Sequence, residues 1–376
     1  MCVQKGYAQM TIRKGLLHAV LSRVVRMISR NPSMPILQHV KLDADGSTLR
    51  VEATDLTTHI VASIPCEGRF SACLPGSALA AFIKPDDTKD KQSIVELLPE
   101  EGGKVTVAIE AALSTMAALS ATDFPVRAGD KHASRDWLAA GTWQAAQLGN
   151  ALKWLLPAVG TDTTRPAMTG VMFTPDEIIG LDGHRLHLVG MPGLSGGPTL
   201  LPGNTIATLT HVMPKSGEVS AVRANNTIRF RCSTGDVQWE IEAAAMTDVQ
   251  YPPFHQVIPG AGSEDFSVEV DREALLYAVN RISKPKNRRN TGVRVVVNGA
   301  IGLERDSEDG TTSTTVPVVS TTHHGADSII GVDVLLLADA LASGAEVVTA
   351  RFGNALSPIR FDLGSGRVCV VMPMRI

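Results

Sequence analysis

The sequence predicts an α+β protein made of three similar repeated domains, each with two helices and packed antiparallel sheets. Three observations carry this. LPGSALAAFIK, starting at Leu74, returns as LPGNTIATLTHVM at Leu201, 127 residues later, and as IGVDVLLLADAL at Ile330. Separate markers keep the same period: Asp55 of ATDL and Asp182 of LDGHRL stand 127 apart, as do Phe124 and Tyr251, each followed by proline. Segments with helical apolar spacing also alternate with β-branched runs bounded by turn residues. Such a period is too long for a solenoid repeat, so the units are domains. They span 1–130, 131–260 and 261–376.

Each unit opens on a helical pattern: IRKGLLHAVLSRVVRMI near residue 12, TWQAAQLGNALKWLL near 142 and DREALLYAVNRI near 271. The second helix of each unit follows Ser77, Asn204 or Asp333, whose side chains are expected to cap its first turn. Strands lie between, as in KLDADGSTLRVEATD, KVTVAIEAA and NTIRFRCSTGDVQWEIEAA. The chain ends on VVMPMRI, apolar almost to its last residue. Termini are ordinarily polar and loose. Either Val370 and Val371 close a core strand and the rest is incidental, or the end is half of a binding surface.

Composition narrows the class. Of 376 residues 44% are hydrophobic but only 4% aromatic, so the cores must be built from Val, Leu, Ile, Ala and Met. No run of 18 apolar residues and no apolar leader-like segment occurs, which predicts a cytoplasmic protein without a membrane partner. Five cysteines (Cys2, Cys66, Cys73, Cys232 and Cys369) are odd in number and form no CxxC, as expected of reduced thiols. A net charge of −3 argues against a nucleic-acid binder, but its distribution does not. From Met1 to Leu42 there are seven bases (Lys5, Arg13, Lys14, Arg23, Arg26, Arg30 and Lys41) and no acid. From Ala274 to Leu303 there are six (Arg281, Lys284, Lys286, Arg288, Arg289 and Arg294), again with no acid. Segregated signs predict one basic face and one acidic face.

No P-loop, GxGxxG after a strand, HExxH, GxSxG or CxxC pair is present. Two spots gather polar groups: Asp182, His184 and Arg185 in LDGHRLHL, and His323, His324 and Asp327 in TTHHGAD. Asp-Gly is a turn signal, and adjacent histidines on a strand point to opposite faces. Neither spot reads as a catalytic or metal site, and no cofactor is expected. A metal-dependent hydrolase using His323, His324 and Asp327 is the competing reading from another class, and metal analysis of the purified protein separates it.

The assembled motifs resemble the β sliding clamp of bacterial DNA polymerase III. They are MPIL at Met34, ATDL at Ala53, ATDFP at Ala121, RPAMTGVMF at Arg165, DGHRL at Asp182, YPPFHQVIP at Tyr251, REAL at Arg272, GVR at Gly292, SPIRF at Ser357 and VMPMRI at Val371. The resemblance covers the whole chain and implies the DNA clamp fold: three copies of one domain, ring-forming, two chains closing head to tail as a homodimer around duplex DNA. It implies a non-catalytic processivity subunit that tethers the polymerase and clamp-loader subunits through short peptide motifs. Arg23, Arg26 and Arg30 would face DNA, without reading its sequence. The partner site would comprise Met168, Leu181, Gly183, His184, Arg185, Leu186, Pro252, Val257, Leu356, Pro358, Val370, Met372, Pro373, Met374, Arg375 and Ile376. The chain departs from the family pattern at Leu181, where a threonine is usual, at Gln256, where an arginine is frequent, and at Asn290, Asn280 and Arg281, where apolar residues are common. These departures leave room for a clamp-like paralogue with altered partners.

Overall fold

Six helices are present among the described residues, and each begins on the residue after a strand ends. They are α1 (Lys14–Val24), α2 (Gly76–Phe82), α3 (Ala145–Leu155), α4 (Gly203–Val212), α5 (Arg272–Ile282) and α6 (Val334–Leu341). The computed structural model describes residues 9–28, 34–127, 136–260, 266–284, 291–307, 310–323 and 328–376. The three opening helices, α1, α3 and α5, each have 11 residues and fall where the apolar spacing predicts them. In α1 that spacing buries Leu17, Val20, Leu21 and Val24 on one face. Asp333 caps α6 as expected, accepting the Leu335 N–H at 2.8 Å. Ser77 and Asn204 do not cap: α2 and α4 already start at the preceding glycines. The Asn204 carboxamide instead donates to Asp55 and Thr57.

The chain divides into two compact units, Met1–Gly149 with Asn204–Ala245, and Asn150–Gly203 with Met246–Ile376. The first holds a ten-stranded antiparallel sheet, with the Ala112–Ala117 strand at one edge and Leu138–Gln144 at the other. The second holds a nine-stranded and a four-stranded antiparallel sheet. Its core gathers Leu275 and Val279 of α5, Leu337 and Leu341 of α6, Val295 and Leu303 of the smaller sheet, and Phe352 and Phe361 of the larger. Aliphatic side chains dominate this interior, as the scarcity of aromatics requires. No helix among the described residues is long and apolar enough to cross a membrane.

Candidate functional site

The last strand, Arg367–Val371, settles half of the question its sequence raises. It pairs with Arg185–Gly190, with Arg185 opposite Val371 and Leu186 opposite Val370, and both valines are buried. Past Val371 the chain leaves the sheet without leaving the protein. Met372 N–H donates to His184 O at 2.8 Å, and Met374 N–H donates to Gly331 O at 2.8 Å. The second bond lays the tail on the Ser328–Asp333 strand. Only glycine permits it, since a Cβ at 331 would stand 2.1 Å from Ile376 Cγ1 and 2.4 Å from Met374 O. Thus the terminal residues are fixed by backbone bonds while Met372, Met374 and Ile376 stay 36%, 39% and 58% exposed.

Beside this tail lies an apolar floor. Leu181, Leu186 and Val370 form one buried cluster with Ile179 and Leu188, against which Met168, Met172, Tyr251, Phe254 and Ile258 pack half-buried. An adjoining pocket of about 380 Å³ is lined by Gln256, Val257, Pro259, Phe352, Pro358 and Met372, among others. The structure therefore gathers Met168, Leu181, Leu186 and Val370 at the floor, and Val257, Pro358 and Met372 at the pocket. Pro252 accepts the Phe254 N–H through its carbonyl at 2.8 Å. Leu356 projects with most of its surface in solvent, and Pro373 and Arg375 lie along the tail, half-buried and exposed. Met172, Tyr251, Phe254 and Ile258 are members that sequence reasoning passed over. Three of them sit in YPPFHQVIP, so the motif itself carried the signal.

The DGHRL turn frames the floor. Asp182 Oδ1 accepts the backbone N–H of His184 at 2.9 Å and of Arg185 at 3.0 Å. Gly183 takes φ +91°, and a Cβ there would meet Arg165 Nη1 at 3.0 Å. The Arg185 guanidinium is fully engaged, bonding Asp182 Oδ2 at 3.1 Å, Asp339 and the Pro157 carbonyl. It braces the site from below, while His184 is exposed. This is an Asx turn closed by an ion pair.

The first unit repeats the turn over a different floor. Asp55 Oδ1 accepts the N–H of Thr57 and Thr58 at 3.0 and 2.7 Å, and Leu56 takes a positive φ of 76° where Gly183 takes 91°. Where Leu186 faces Val370, however, His59 faces Glu242. His59 Nε2 bonds the buried Glu52 carboxylate at 2.9 Å. Burial pushes the Glu52 carboxyl up, but His59, Lys41 and Arg50 outweigh it and bring it down to about 2. A buried ionic pair thus stands where the second unit has the apolar Leu186–Val370 contact.

The basic segments are less uniform than the sequence implies. Lys14 is buried and paired with Asp90 at 2.6 Å, Lys41 lies 3.5 Å from Glu52, and Arg13 lies 3.6 Å from Asp236. Arg23 stacks 5.6 Å from the Trp239 ring centre, and Arg26 is exposed just past α1. Arg30, Lys286, Arg288, Arg289 and Asn290 lie outside the described residues, as do His324 and Asp327. No group of three His, Cys, Asp or Glu side chains among the described residues is arranged to hold a metal.

The described residues thus combine an α+β fold of antiparallel sheets with an apolar floor flanked by the chain's last residues. The family model of the DNA polymerase III beta subunit N-terminal domain matches residues 8–127. The beta sliding clamp of Caulobacter vibrioides is 28% identical over 98% of this chain and 100% of its own length. That of Escherichia coli K12 is 22% identical, covering 97% and 99%. In fold, the sliding clamp of Bartonella birtlesii bound to griselimycin superposes with a TM-score of 0.84 at 22% identity, over 98% of this chain and 100% of that one. Residues 8–127 thus match the N-terminal domain of the DNA polymerase III beta subunit, and over nearly its whole length the chain is similar to β sliding clamps at low identity.

Proposed function

We propose that the chain is a DNA sliding clamp: two copies close around duplex DNA and hold the replicative polymerase and other partners for processive synthesis. It catalyses no step itself, as in its family. One observation carries the partner-binding part, namely a C-terminal tail pinned by backbone bonds beside an apolar floor, with Met372, Met374 and Ile376 still accessible. Methionine repacks readily around different apolar anchors, which suits a groove that admits many related peptides. Polymerase and clamp-loader tails with a short motif of Gln and Leu or Phe are the expected occupants. Six strand-to-helix junctions support three domains of two helices each, with boundaries near 130 and 260. Arg23, Arg26 and Arg30 would supply phosphate contacts that read no base, so that the ring slides. The working compartment would be the cytoplasm.

Topology tests this directly. Protein loaded on a nicked circle should survive a moderate-salt wash and be released when the circle is cut. Equal retention on linear and circular DNA would overturn the ring reading.

A further inference from the structure

A pocket of about 550 Å³ opens beside the first turns of α1, lined by Arg13, Leu16, His18, Lys84, Lys91 and Asp236, among others. It is built by the loop 84–93 folding against the helix. Gly15 makes the close fit possible, because a Cβ there would stand 2.8 Å from Lys91 Cβ and 2.9 Å from Lys91 O. Lys14 N–H donates to Ser93 O at 2.8 Å, and the buried Lys14 ammonium bonds both Asp90 oxygens at 2.6 and 2.8 Å.

The loop's carboxylates are largely consumed within it. Asp90 also accepts the Asp86 N–H and the Ser93 hydroxyl, and Asp87 accepts the Asp90 N–H. Asp86 and Asp87 line an adjoining hollow, which shares Lys84 and Gln92 with the pocket. Across the pocket Asp236 faces Arg13 at 3.6 Å. Among the described residues Lys84, Lys91 and His18 have no carboxylate partner, so with Arg13 offset by Asp236 the pocket keeps two unpaired lysines and a titratable imidazole. Leu16 and Pro85 form an apolar part of the wall, which thins the water that would otherwise screen those charges.

We propose that this pocket seats a phosphate group, with Lys84 and Lys91 as its cationic partners and His18 as a third, proton-dependent one. A backbone phosphate of duplex DNA and a free phosphate offer the same chemistry, and only the first source rests on the clamp reading. In the empty pocket burial, together with Lys84, Lys14 and Lys91, holds the His18 imidazole below its ordinary value. Arg13 and Asp236 complete the charged lining. A bound anion reverses the local field, so binding takes up a proton at His18 and tightens as the pH falls.

The experiment follows the His18 ring by NMR against pH in the full chain, alone, with sulfate as a non-titrating phosphate mimic, and with a short linear duplex. The titration midpoint should rise by about one pH unit with ligand, whereas in K84E/K91E it should start higher and no longer respond to ligand. The same variant should weaken duplex binding at least tenfold and reduce the salt slope by about one to two. A response to duplex assigns the pocket to the DNA backbone, and a response to sulfate alone assigns it to free phosphate. No response to either overturns the proposal. The clamp reading fails separately: release from closed circles, with His18 still answering sulfate, would remove the ring and leave the pocket.

Discussion

His187 is fully buried on the Arg185–Gly190 strand, its ring stacked on Trp154 with centres 4.3 Å apart. Its Nδ1 bonds Trp154 O at 2.7 Å, and since a carbonyl only accepts, that nitrogen carries the proton. Nε2 then keeps a bare lone pair with no hydrogen-bond partner. Burial drives the imidazole down to about 4, well below its ordinary 6.5. The sign follows from linkage: between these values the unfolded chain binds a proton that the native state refuses, so stability falls as the pH falls from 6.5 toward 4. By pH 5 the loss should be about 2 kcal/mol. Glu52 acts lower down, because a depressed carboxylate contributes fully above 4.5 and loses that contribution only as the pH approaches 2. Urea unfolding at pH 7 and pH 5 should therefore show the drop in the parent protein and little of it in His187→Phe, which keeps the stack on Trp154. A parent protein equally stable at both values would refute the assignment.

At the scale of elements, the informative piece is the tail after the last strand. Its residues 374–376 rest on Gly331, in a copy of the repeat where the first two domains carry Pro75 and Pro202. Gly331→Val should lift the tail, because no side chain fits beneath Ile376 and the Met374 carbonyl. Burying two or three apolar side chains of a partner contributes roughly 1.5–3 kcal/mol each when complete, less the cost of ordering the peptide. Removing Met374–Ile376, or displacing them by Gly331→Val, should weaken a polymerase-tail peptide about ten- to a hundredfold, or ~1.4–2.8 kcal/mol, by fluorescence anisotropy. Melting temperature should hardly move in the deletion, since Val370 and Val371 keep the strand. Unchanged affinity in a well-folded truncation would mean that the tail is not the partner wall. Much of this site was legible in the sequence, because DGHRL and VMPMRI are local strings whose turn and strand form where they stand. The support from Gly331 was not, as it meets the tail only after the four-stranded sheet has formed. Lys14 is a similar case: it counts among seven bases in the sequence, but Asp90, 76 residues away, neutralises it in the fold. The helices were readable from apolar spacing, whereas cap positions at Ser77 and Asn204 slipped by a residue, because the Pro-Gly pairs before them already turn the chain into the helix.

At the scale of the whole molecule, the edges of the sheets require an explanation. An edge strand offers unpaired N–H and C=O groups and invites another chain unless something covers it. The Ser328–Asp333 edge of the four-stranded sheet receives the tail through Gly331, but Gly310–Pro317 at its other end and Ala112–Ala117 in the first unit end their sheets. On the latter, Leu113 is 68% exposed, a large apolar side chain on an open edge. The second unit presents Tyr277 on α5, 66% exposed, with Arg281 placed 6.0 Å from its ring centre. Pairing the first domain of one chain with the third domain of another by sheet extension would satisfy both ends of each chain at once, and twofold symmetry then closes the assembly after two copies. The polar Asn280 and Arg281 stand exposed on α5 and would make such a junction weaker than an all-apolar one. Light scattering should therefore give about 80 kDa, twice the 39.9 kDa of the chain, at micromolar concentration, with dissociation on dilution. Leu113→Lys should shift that equilibrium toward monomer while leaving thermal unfolding nearly unchanged, because a charged edge repels a second strand without disturbing the sheet that carries it. A 40 kDa species persisting at high micromolar concentration would leave each chain with open edges and no ring, and the circle-retention result would have to fail with it.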